Sequence, residues 1–101
     1  MKFQVTQDHI DKATRGSATN CPVARAVSEG LKGYSMIDSV AATCERIILY
    51  WQGKFLSFRH ITGVKEFVLA FDHNEPVEPT EIEVNTDFDE FLASLNTPVQ
   101  P

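Results

Sequence analysis

No lysine or arginine follows Lys65. The last 36 residues hold nine carboxylates and no basic side chain, so they carry a net −9. All nine basic residues lie in the first 65, where five carboxylates leave a net +4. The overall charge of −5 therefore averages two opposite halves. Such an asymmetry speaks to partners and association rates, not to fold.

Other absences narrow the class. No apolar run approaches the ~18 residues that cross a bilayer, and no apolar stretch follows Met1-Lys2-Phe3 as a secretory leader would require. The expectation is a cytoplasmic protein without a membrane segment. The two cysteines, Cys21 and Cys44, are distant and form no CxxC pair, which reads as reduced structural thiols. The five glycines are scattered, so no phosphate-cradling loop is present. His9, His60 and His73 share no metal spacing. His9 and His73, each beside an aspartate, read as solvated loop residues.

What is present is an ordinary globular composition, 43% hydrophobic and 23% charged over 101 residues. That is one domain, residues 1–101, with a single modest core. Alternation over Lys2–Val5 predicts a strand, and Thr6 can cap a helical turn after it. Thr14–Asn20 is a loop by composition. Asn20-Cys21-Pro22 starts a helix, since proline's missing N–H costs nothing in a first turn. Gly30 and Gly33 are expected to end that helix, Pro22–Glu29, in the left-handed conformation. Tyr34–Val40 reads as a strand.

Cys44–Tyr50 and Phe55–Ile61 flank Gln52-Gly53 as a β-hairpin with Trp51 at its tip. Thr62 caps an amphipathic helix over Gly63–Asp72. Two prolines then extend the chain, and Thr80–Val84 alternates as a half-exposed strand. Thr86 opens a helix with a Phe88, Phe91, Leu92 and Leu95 stripe, and residues 96–101 form a frayed tail. The sum is a small α+β domain, mainly antiparallel sheet around a hairpin at about 44–61, with two or three helices on one face.

No residue set amounts to a catalytic signature, so the chain is read as a non-enzyme with no cofactor and no metal. Cys21 is the one candidate reactive thiol. A helix start lowers a thiol pKa, and Arg25 lies one turn later, but a catalytic cysteine also needs a base, for which His9 and His60 are the candidates. Arg46, Lys54 and Arg59 with Trp51, Phe55 and Phe58 make a basic-aromatic hairpin of the kind that stacks bases. The expected arrangement is aromatics in the core and charges on the opposite face. With the acidic third repelling phosphate, direct nucleic-acid binding is not expected. The carboxylates of that third, chiefly Asp72, Glu75, Glu78, Glu81 and Glu83, form a candidate acidic binding surface. Its spacing resembles a nucleic-acid backbone and suits a basic groove on a protein. A solubilising face is the alternative reading of the same residues.

Two segments carry a resemblance. One is Val5-Thr6-Gln7-Asp8-His9-Ile10-Asp11, with Gly16 and then Cys21-Pro22-Val23-Ala24-Arg25-Ala26. The other is Val64-Lys65-Glu66-Phe67-Val68-Leu69-Ala70-Phe71-Asp72, followed by Glu75-Pro76-Val77-Glu78-Pro79. Together they resemble a group of small proteins without an assigned activity, encoded by tailed bacteriophages and prophages, in which TQxHID, CPVA and FxxxFDxxxPVxP segments follow in this order. Where some members have a second cysteine before the Cys-Pro, this chain has Ser17-Ala18-Thr19. The resemblance implies a phage origin and no established activity; phage accessory genes of this size often encode proteins that bind and inhibit host machinery. With the charge split and the absent catalytic set, the expectation is a non-enzymatic accessory protein in the host cytoplasm that binds a host protein or complex and inhibits a defence or nucleic-acid-handling system. Two alternatives stand beside it: a self-associating homodimeric domain, since basic and acidic parts can pair, and a thiol-dependent enzyme built on Cys21.

Overall fold

The computed structural model describes residues 2–34, 37–59, 64–84 and 86–96. The expected hairpin end at Ile61, the Thr62 cap, the Gly63 helix start, His60 and the tail at 97–101 lie outside them, as does the Leu95 side chain. The elements run β1 (Lys2–Val5), α1 (Gln7–Lys12), α2 (Pro22–Gly30), β2 (Ser39–Ala42), β3 (Arg46–Trp51), β4 (Lys54–Arg59), α3 (Val64–Asp72), β5 (Thr80–Glu83) and α4 (Thr86–Asn96). This is the expected α+β class, with two antiparallel sheets instead of one. Strands β1 and β5 form a two-stranded ribbon, and β2, β3 and β4 form a three-stranded sheet in that order. Among the described residues no helix is long and apolar enough to cross a membrane.

Local chemistry explains most starts and stops. Thr6 caps α1 by accepting from the His9 N–H, 3.3 Å. The β3–β4 turn places Gln52 and Gly53 at φ 50° and 73°, the two-residue geometry whose twist matches a hairpin. Helix α3 ends with Asn74 at φ 60°. The Asn74 N–H reaches Phe71 O at 3.1 Å and the Glu75 N–H reaches Ala70 O at 2.8 Å, the paired bonds of a Schellman stop.

Two expectations are corrected here. The strand predicted for Tyr34–Val40 begins only at Ser39, because two described amides before it bond locally. Tyr34 N–H bonds Leu31 O and Ile37 N–H bonds Tyr34 O, so those amides are not available to a sheet. The α2 glycines are not left-handed stops either. Only Gly16 and Gly53 among the described glycines have positive φ, and the C-cap is Leu31 at φ −102°. Gly30 has a steric role instead. A Cβ there would sit 2.6 Å from a ring carbon of Phe3, so the missing side chain lets α2 lie against β1.

One core serves both sheets. Phe88 on α4 is wholly buried and meets two rings edge-on: Phe3 of β1 at 5.8 Å and Phe58 of β4 at 5.1 Å. Each such pair adds about 0.5–1.5 kcal/mol beyond area burial. Val23 and Val27 of α2, Ile47 and Leu49 of β3, Val64 of α3 and Ile82 of β5 complete the interior.

Candidate binding surfaces

All five predicted acidic residues, Asp72, Glu75, Glu78, Glu81 and Glu83, are exposed. The β1–β5 register explains two of them. Lys2 faces Glu83 and Gln4 faces Glu81, while Phe3 faces Ile82. The period of two therefore turns Glu81 and Glu83 outward as Ile82 turns inward. Basic and amide groups encroach on this surface. Glu81 accepts a hydrogen bond from Gln4 at 2.6 Å and lies 3.8 Å from the Lys2 ammonium. Asp72 accepts from the Gly16 N–H at 3.0 Å, and the Arg15 guanidinium stands 5.3 Å over the Phe71 ring. The carboxylates of Glu75, Glu78 and Glu83 have no hydrogen bond or ion pair among the described residues, which makes them the uncommitted part.

Cys21 lies at the helix start as predicted, but its chemistry is reversed. Its Sγ accepts from the Ala24 N–H at 3.4 Å as the α2 cap, and the residue is 3% exposed. Burial pushes the thiol pKa up, outweighing the lowering by the helix-start amides. Desolvation penalises the thiolate more than those dipoles favour it. Burial and the helix start thus act on Cys21 in opposite directions, and burial is the larger of the two. Cys21 and Cys44 are both unbridged.

His9 is the functional-looking group that the solvated-loop reading missed. It is 6% exposed. The Thr6 N–H donates to its Nδ1 at 2.9 Å, closing a capping box in which histidine takes the usual Glu position. Nδ1 is thus an acceptor, and the Nε2–H faces the Glu29 carboxylate of α2. The Thr6-x-x-His9 spacing was the available signal; the partner, twenty residues on, was not. The hydrogen bond to the His9 ring first, and the ring's attraction second, hold the Glu29 carboxyl below its ordinary pKa. With both ring nitrogens engaged, His9 has no free base position.

This pair lines a cleft of about 570 Å³ with Asp8, Asn20, Arg25 and Lys32. Arg25 Nε is buried there with no hydrogen-bond partner among the described residues. Those residues hold no cluster of three His, Cys, Asp or Glu side chains able to bind a metal ion.

The hairpin departs from expectation in a useful way. Phe58 and Trp51 do face the core, Trp51 lying 5.0 Å from Phe91. Phe55 does not. The register pairs Tyr50 with Phe55 and Arg46 with Arg59, so these four share the outer face. The parity was readable from the sequence, because the two-residue Gln52-Gly53 turn sets every pair.

The chain matches no known protein-family model, no curated protein and no solved structure.

Proposed function

We propose that this is a non-enzymatic binding protein, a phage-type accessory protein that engages a host protein or complex through its acidic surface and so inhibits it. The observation that carries the reading is the exposure of all five carboxylates, three of them without a hydrogen bond or ion pair among the described residues, in the part of the chain without a basic residue. Uncompensated like charges repel one another, and a partner of opposite sign relieves that repulsion while steering its own approach. The phage-like segments support the class of partner. Burial of Cys21, which raises its thiol pKa, weighs against the thiol-enzyme alternative.

The test is capture from bacterial lysate by the wild type and by a Glu75→Lys, Glu78→Lys, Glu83→Lys variant, with mass spectrometry of what salt elutes. The expected result is a basic partner retained by the wild type, released by salt and absent from the variant. Equal capture with equal salt dependence overturns the proposal.

A further inference from the structure

The outer face of the β2–β3–β4 sheet is built unlike the acidic ribbon. Along β3 and β4 it runs from the Arg46/Arg59 pair, through Ile48/Ser57, to the Tyr50/Phe55 pair. Strand geometry puts the arginines about 13 Å from the rings. Tyr50 is 38% and Phe55 66% exposed, and their ring centroids are 6.2 Å apart. Exposed rings on neighbouring strands are a hydrophobic liability unless something covers them.

The arginines are equally unusual. They stand directly opposite each other, an arrangement that is destabilising in a sheet. Neither has a carboxylate ion-pair partner among the described residues. Arg46 Nη1 donates to the Ser57 hydroxyl at 2.9 Å. Lys54 pairs with Trp51 and so belongs to the opposite face, leaving the two arginines as the cations of this one. At the ring end, Asp38 accepts from the Gln52 N–H at 3.1 Å.

We infer that this face binds single-stranded nucleic acid, with bases stacked on Tyr50 and Phe55 and backbone phosphates held by Arg46 and Arg59. Charge complementarity selects a polyanion. The paired rings select nucleic acid over an acidic protein, because every base offers a π-face to an aromatic ring, whereas an acidic peptide would use the arginines and leave the rings bare. This surface lies on a different sheet from the acidic ribbon and does not depend on the function proposed for the latter.

The experiment is fluorescence anisotropy of a labelled oligothymidine and a labelled oligouridine at low salt, with polyglutamate as competitor. The protein is full-length wild type, Phe55→Ala, Phe55→Trp, or the Arg46→Gln, Arg59→Gln double variant, each first checked for fold by circular dichroism. Phe55→Ala is expected to weaken binding on the order of 10- to 100-fold, and Phe55→Trp to retain it. The arginine variant is expected to lower the slope of log affinity against log salt by roughly 1.4, two phosphate contacts at about 0.7 each. No oligonucleotide binding at low salt, binding indifferent to Phe55→Ala, or polyglutamate competing as well as the oligonucleotide itself overturns the inference. The Glu75, Glu78, Glu83 reversal leaves the Phe55 dependence in place, which separates this outcome from failure of the acidic-surface proposal.

Discussion

Replacing Gly30 by alanine sets two effects of known size against each other. In a helix interior alanine is favoured over glycine by about 1 kcal/mol, and by less at a last residue such as this one. The added Cβ would lie 2.6 Å and 2.7 Å from two ring carbons of Phe3. Carbon atoms settle at about 3.5–4.0 Å, so the ring must retreat by about 1 Å. It has little room to do so. Phe3 is 4% exposed, and its ring stands edge-on to the wholly buried Phe88, which Phe58 holds from another side. Overpacking a core of this kind costs about 1–3 kcal/mol. The steric effect wins, and Gly30→Ala is expected to destabilise the protein by about 1–2 kcal/mol. In a domain of this size that lowers the melting temperature by roughly 4–8 °C for each kcal/mol. Urea denaturation and thermal melting followed by circular dichroism read both numbers. In a Phe3→Leu background, where the ring is gone, the same substitution should become neutral or stabilising, a coupling expected of residues in contact. A Gly30→Ala protein as stable as wild type, or an equal loss with and without the Phe3 ring, refutes the argument.

Two further outcomes follow from the titrating groups. Because Glu29 titrates lower folded than unfolded, the unfolded chain binds more protons in the interval between, and the pair's stabilisation is full above about pH 4.5 and lost as pH falls below it. Glu29→Gln should therefore flatten the fall of the urea midpoint below that pH, and matching profiles for the two proteins would count against the His9–Glu29 bond. Cys21 is buried with a raised thiol pKa, so in a Cys44→Ser variant its alkylation near neutral pH should be slowed on the order of 100-fold relative to the unfolded chain. Labelling at the unfolded rate would show the thiol to be accessible.

The elements that could be read from the sequence rest on local signals. Alternation gives β1, the Cys21-Pro22 start gives α2, and the Gln52-Gly53 turn gives the hairpin, each complete within a few residues. The division into two sheets is not local, since β1 and β5 are chosen as partners by a shared core through Phe3, Ile82 and Phe88. His9 escaped for the same reason, its burial depending on Glu29 one helix away. The acidic residues were placed correctly on an exposed surface, but the neutralising neighbours were not foreseen, because Lys2, Gln4 and Gly16 lie about 56 to 80 residues from their carboxylates. The outer face of the hairpin is set by parity from the two-residue turn, which puts Phe55 beside Tyr50 and away from the interior that aromatic character alone suggests.

The β1–β5 pairing also has a consequence for how the acidic surface comes into being. It joins Val5 to Thr80, about 75 residues apart. Closing a loop of that length costs about 4 kcal/mol in chain entropy beyond a constant, by (3/2)RT ln n. Two of the five carboxylates are thus aligned by a pairing between segments far apart in sequence. Until that pairing closes, the same charge is present without the register that turns Glu81 and Glu83 outward together, so their alignment depends on β1 having found β5.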